Sequence, residues 1–250
     1  MKRTLLFFLA TALFAQQRHV VLISIDGGAA YHLENPALEI PNIRQMLAAG
    51  AWADGGSETV FPSITFPAHT TIITGVYPIK HGVLANEMVR GPRAEIVASN
   101  SLPRTELVLA KTLFDTAKQK GLSTAAFMWP ETVADPAIDY NFTYRTTSNG
   151  ARELTRGPFT EELEKAGVPL AIFASLREWD MQDQVTAMAA CETIRRHRPT
   201  LVAVHFVQTD GAQHTYGPHS EISRAEFART DRYIGQIVRA VKDAGIRRRL

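Results

Sequence analysis

Three runs of apolar residues stand out along the chain: Val20 to Ile25, Ser123 to Met128 and Leu201 to Val207. None alternates apolar with polar positions as a half-solvated strand does. Each is nearly continuous, the pattern of a strand covered on both faces in a parallel sheet. Each stops abruptly in polar or turn residues, at Asp26-Gly27-Gly28, at Trp129-Pro130 and at Gln208-Thr209-Asp210-Gly211. Between them the apolar spacing turns helical. It predicts helices over Ile43 to Ala49 closing on Gly50, over Glu106 to Lys120 closing on Gly121, and over Gln182 to Arg196 before Pro199. On a last helix Phe227, Ile234, Ile237, Val238 and Val241 form the apolar stripe, and Gly245 follows as a C-cap. Alternating strands and helices mean an α/β fold, a mostly parallel sheet with helices on both faces. The stretch from about 88 to 170 breaks the alternation, with irregular pieces at Asp135 to Gly150 and Thr155 to Pro158. It reads as an inserted subdomain or long loops over one end of the sheet.

Composition narrows this picture. The 250 residues are 45% hydrophobic and 21% charged, which excludes a disordered tail, a collagen-like fibre and a multi-span membrane protein. A chain of this length buries about 70% of the surface its unfolded form exposes, so a metal would serve chemistry rather than hold a core. Lysine and arginine number 27 against 25 acidic residues, which gives no case for a nucleic-acid polymer as partner. The short basic clusters Arg195 to Arg198 and Arg247 to Arg249 read as solvated helix ends. At the start, Lys2 and Arg3 precede an apolar run, Leu5 to Ala15, too short for the roughly 20 residues of a transmembrane helix. Residues 1–15 therefore read as a secretory signal cleaved after Ala15, with an uncleaved membrane anchor as the lesser alternative. The remainder, 16–250, is expected to be periplasmic or secreted, without a membrane span after cleavage. The lone Cys191 cannot form an intramolecular disulfide.

Ligands of open α/β sheets gather beyond the carboxyl ends of the strands, where Asp26 and Asp210 both lie. An isolated aspartate there is more often a turn former or helix cap than a ligand; two at one sheet edge shift that balance. Asp210 and His214, four residues apart, can reach one divalent ion. His205 reads as a core or sheet-face histidine, and His219 as a loop residue. Thr65 opens a short helix with Pro67 in its first turn and Gly75 past its end, so it sits where unpaired N–H groups attract anions. It is either an N-cap or, if a metal activates its hydroxyl, a nucleophile.

The ordered set Ile23 to Gly27, Phe61 to His69, Thr74 to Pro78 with His81-Gly82, and Asp210 with His214 to Pro218 resembles the type I phosphodiesterase/nucleotide pyrophosphatase branch of the alkaline phosphatase superfamily. The resemblance runs from about residue 19 to 250. It implies an alkaline-phosphatase-like catalytic domain, incomplete at its C-terminus, two zinc ions, and a threonine nucleophile at Thr65. It further implies Asp26 and Thr65 on one zinc, Asp210 and His214 on the other, and Asn86 on a non-bridging phosphate oxygen. Phe66 matches the aromatic beside the nucleophile, a wall for an apolar group or simple helix-start packing. Arg90, four residues beyond Asn86, reads as a solvent-facing loop residue.

The chain also departs from the family pattern. Thr209 and Gln213 stand where proline and glycine usually precede the metal-binding Asp and His, and Ala68 where many members have asparagine. His69, His81 and the buried Asp231 read as structural. A Ser-Asp-His-Gly motif and a later histidine that complete the zinc sites in the family have no counterpart, so the ligand sets are expected to be incomplete, with weak zinc binding and poor turnover. The expected function is metal-dependent hydrolysis of phosphodiester or pyrophosphate bonds in small, nucleotide-like substrates. The alternatives are a noncatalytic remnant that binds anions or partners, and a phosphomonoesterase or sulfatase of the same superfamily.

Overall fold

Four parallel strands carry the site, and the order in which they pair explains where it lies. The computed structural model describes residues 18–146, 152–171 and 181–246. The expected signal segment and the Arg247–Arg249 cluster lie outside these residues, as does part of the irregular region. The described strands are β1 (Val20–Ile25), β2 (Glu87–Arg90), β3 (Glu95–Ala98), β4 (Thr124–Phe127), β5 (Tyr140–Phe142), β6 (Tyr144–Thr146), β7 (Arg152–Leu154) and β8 (Leu201–Phe206). The main sheet has the order β1-β8-β4-β5, all parallel, and β2-β3 and β6-β7 form separate antiparallel pairs.

The continuous apolar runs now have their reason. Alternate residues of β4 and β8 enter different cores. Phe127, Val202 and Val204 pack with Val185, Ile194, Ile234 and Ile237 from the helices Gln182–His197 and Glu221–Asp243. Ala126 and Ala203 pack with Ile73 and Phe114 from the helices Thr65–Thr74 and Leu113–Gln119 on the other face. With both faces covered, neither strand has room for a polar stripe. Each large side chain buried this way contributes roughly 1.5–3 kcal/mol.

Two elements differ from the periodicity. The helix expected over Glu106 to Lys120 is two helices, Arg104–Leu107 and Leu113–Gln119. The second starts afresh at a capping box in which the Thr112 hydroxyl accepts from the Asp115 N–H and the Asp115 carboxylate accepts from the Thr112 N–H. Arg104 ties the two pieces together through a part-buried ion pair to Asp115 at 2.7 Å, and a buried one at 2.8 Å joins it to Asp135 beyond them. Secondly, Gln208–Tyr216 is a helix where turn residues alone were expected. Asp231 is buried and hydrogen-bonded, as the apolar stripe around it suggested. It accepts from the backbone N–H of Ile43 at 2.7 Å and from both the backbone and side chain of Asn42. It thereby caps, from the long terminal helix, the helix Pro41–Ala48.

Candidate active site

β1 and β8 pair in register from Val20 with Leu201 to Ile25 with Phe206, so the residues that follow them emerge side by side. The Asp26 N–H still donates to the Phe206 carbonyl at 2.8 Å, the last rung before the chains part. After β8, the Asp183 carboxylate accepts from the N–H groups of Val207 (2.8 Å) and Gln208 (3.1 Å) and anchors the entry to the Gln208–Tyr216 helix. Burial pushes the Asp183 carboxyl up to about 6. Asp210 lies in the first turn of this helix and His214 one turn on, so both project from one face, Oδ1 to Nε2 at 3.4 Å. Gly27 makes the approach of the two motifs possible. Its φ is +70°, and a Cβ there would stand 3.1 Å from the Gln213 amide nitrogen and 3.2 Å from the Asp210 Cα.

Thr65 is the first residue of its helix, but the capping position belongs to Ile64. Its hydroxyl is not a cap; it donates to Asp26 Oδ2 at 3.1 Å. His69 supports this placement from beneath, donating from Nδ1 to the Thr65 carbonyl at 2.7 Å and accepting the Ser24 hydroxyl on Nε2 at 2.8 Å. Burial, with the adjacent His205, drives the His69 imidazole down to about 3, so it stays neutral. His81 is buried under the same helix, bonded to Thr71 and to the Val83 N–H, also a structural placement. The Asn86 carbonyl oxygen accepts the Phe66 N–H at 2.9 Å, which leaves the amide's two N–H groups as donors for the cavity. Phe66 lines the cavity and also packs on the Val83, Leu102 and Leu107 cluster.

All six sequence-selected residues, Asp26, Thr65, Phe66, Asn86, Asp210 and His214, line one cavity of ≈ 440 Å³. Arg90 does not; it lies exposed on β2, paired with Glu106 at 3.4 Å. Among the described residues no lysine or arginine lines the cavity, and its carboxylates feel one another. Burial and the charge of Asp26 raise the Asp210 carboxyl. Burial opposes ionisation of Asp26 too, but the adjoining His205 and the Thr65 hydroxyl hold its carboxyl below the ordinary value. Oxygen and imidazole donors 3.1 to 3.4 Å apart, at a pole without compensating lysine or arginine, fit divalent cations. Among the described residues no group of three or more His, Cys, Asp or Glu side chains forms a metal cluster.

Several lining residues had no sequence signal of their own. His205 is buried on the sheet, as read, but its ring also reaches Asp26. The far wall comes from the segment after β4, where Met128, Glu131 and Ala134 all have positive φ, between 50° and 58°. Three strained non-glycine residues in seven mark a wall whose shape the surrounding fold enforces. Glu131 in it is 1% exposed, and burial pushes its carboxyl up to about 8. Its position past the carboxyl end of a parallel strand was the one available clue.

The model of the type I phosphodiesterase / nucleotide pyrophosphatase family matches residues 20–250. The chain belongs to this family. Its relatives include ectonucleotide pyrophosphatase/phosphodiesterase family member 3 of Rattus norvegicus, 24% identical over 234 residues, which cover 92% of this chain and 23% of that protein. Venom phosphodiesterase 1 of Crotalus adamanteus is 26% identical over 238 residues, 92% of this chain and 24% of that one. The chain thus spans about a quarter of the length of these curated relatives. Among solved structures, murine ectonucleotide pyrophosphatase/phosphodiesterase 5, in an inactive threonine-to-alanine form in complex with AMP, superimposes with a TM-score of 0.65 at 18% identity, covering 92% of this chain and 54% of that one. Phosphonoacetate hydrolase from Sinorhizobium meliloti 1021 gives 0.65 at 19%, covering 90% and 54%. These likenesses establish the alkaline-phosphatase-like fold.

Proposed function

We propose that the site hydrolyses phosphodiester or pyrophosphate bonds of small, nucleotide-like substrates, with Thr65 as nucleophile. The observation that carries this reading is the Thr65 hydroxyl, which bonds the Asp26 carboxylate at 3.1 Å instead of capping its own helix. The threonine-to-alanine form of the murine relative, described as inactive and bound to AMP, supports the same role.

Zinc ions held by Asp26 with Thr65 and by Asp210 with His214 would lower the pKa of the attacking oxygen and screen the phosphoryl charge. The chain's own groups do the rest. Asp26 orients the Thr65 hydroxyl. Thr65 Oγ gives up its proton to solvent and forms a bond to phosphorus as the bond to the leaving oxygen breaks; the leaving group departs with that electron pair and is protonated in turn. Water then cleaves the phosphothreonyl ester, releasing the phosphate product and restoring the hydroxyl. The Asn86 amide donates to a non-bridging oxygen; a neutral donor suits the single negative charge of a diester. The N-terminus of the Thr65–Thr74 helix adds its partial positive charge. Phe66 flanks the organic substituent.

Parallel assays with bis(4-nitrophenyl) phosphate and 4-nitrophenyl phosphate test this, using metal-loaded protein as the 250-residue chain and extended by its downstream coding sequence. Diester turnover exceeding monoester turnover and abolished by Thr65→Ala is expected. A monoester preference, or turnover indifferent to Thr65, would overturn it.

A further inference from the structure

His205 occupies a position that neither its burial nor the family motifs account for. Its Nδ1 lies 3.0 Å from the Met128 carbonyl oxygen, which can only accept, so Nδ1 carries the hydrogen. In the neutral ring Nε2 is then a lone pair, and it lies 3.3 Å from Asp26 Oδ2. A neutral ring would thus set two acceptors face to face at hydrogen-bonding distance, an arrangement resolved by a cation between them, either a proton on Nε2 or a metal ion. The same Oδ2 is 3.1 Å from Thr65 Oγ1.

These spacings are those of ligands on one ion. A tetrahedral ion with bonds of about 2.0–2.2 Å to nitrogen and oxygen sets its donors roughly 3.3–3.6 Å apart, so the 3.3 Å pair fits directly and the 3.1 Å pair opens by a few tenths of an ångström on binding. The Met128 carbonyl on the other ring nitrogen is also the usual partner of a metal-bound histidine, fixing tautomer and ring orientation. The ring is held further by His69, whose centroid is 4.2 Å away.

We propose that His205, through Nε2, joins Asp26 and Thr65 as a third protein donor to one divalent transition-metal ion, zinc by the chemistry of the donors. Among the described residues this makes a three-donor set, drawn from the residue that follows β1, from β8 and from the Thr65 helix. The proposal deepens the phosphodiesterase reading and rests on its placing a metal at Asp26. Among the described residues the Asp210–His214 pair has two donors.

The test uses the 250-residue chain carrying His214→Ala, which silences the second pair. Zinc affinity is measured by calorimetry, and the ligands are read by pulsed electron paramagnetic resonance on one equivalent of Cu²⁺. One bound ion with the modulation of a coordinated imidazole is expected, lost in Asp26→Asn. His205→Gln should remove that modulation and weaken zinc binding beyond the roughly 10–100-fold that loss of an outer-shell partner costs. The modulation is read on the chain that keeps His205, and its loss in Asp26→Asn ties the imidazole to this site, where His69 has both ring nitrogens engaged, so the question is decided even if His205→Gln fails to fold. Metal bound without an imidazole, no metal bound, or unchanged affinity in folded His205→Gln would each overturn the proposal. Failure of the phosphodiesterase reading would appear separately, as absence of diester turnover by protein that binds the metal through His205.

Discussion

The side-chain amide of Gln213 donates to the backbone carbonyl of Gly27 at 2.9 Å. This bond ties the loop after β1 to the helix after β8, and so fixes Asp26 relative to Asp210 and His214. Gln213→Ala should cost about 1 kcal/mol of stability, read from urea denaturation. It should also weaken zinc binding by roughly 10–100-fold, as loss of an outer-shell contact does.

Thr65→Ala should lower diester turnover by several orders of magnitude in an active form, because no other hydroxyl touches Asp26 among the hydrogen bonds of the described residues. Asn86→Ala should cost roughly 10²–10³ in turnover, about 2.7–4 kcal/mol, by comparison with loss of one oxyanion donor. Single-turnover kinetics would separate the two: Thr65→Ala should form no phosphoenzyme, and Asn86→Ala should form it slowly.

Glu131 makes stability depend on pH. Its folded carboxyl titrates at about 8, up from 4.5, because burial disfavours the anion. Above pH 4.5 the unfolded chain releases this proton and the folded chain does not. The stability contribution is therefore complete below 4.5 and is lost progressively as pH rises to about 8, a change of order 5 kcal/mol at most. Denaturation midpoints across this range should fall with pH, and Glu131→Gln should flatten the fall and be the more stable form at pH 8. A parallel profile for both forms would contradict the assignment.

Asp231→Ala should destabilise the fold by about 2–4 kcal/mol, since it strands the buried N–H groups that Asp231 now satisfies at the start of the Pro41–Ala48 helix. Thermal melts would show the loss, and amide exchange should rise first at Asn42 and Ile43.

Much of the scaffold is legible in the sequence. Val20–Ile25, Thr124–Phe127 and Leu201–Phe206 announce themselves because a strand covered on both faces excludes polar residues, and that exclusion is a local pattern. Thr65 at a helix start and Asp26 past a strand are local facts too. β5 is not legible: three residues, Tyr140–Phe142, are too few to show a period, and only pairing with β4 makes them a strand. The Gln208–Tyr216 helix has no apolar stripe to reveal it. What the tertiary structure alone decides is partnership. Burial made His205 look like core, and so it is, but the Met128 carbonyl brought by β4 orients the ring, and register with β1 sets it against Asp26. Local sequence carries propensity and periodicity; the direction of a lone pair depends on groups 77 and 179 residues away, and only the folded sheet brings them within reach.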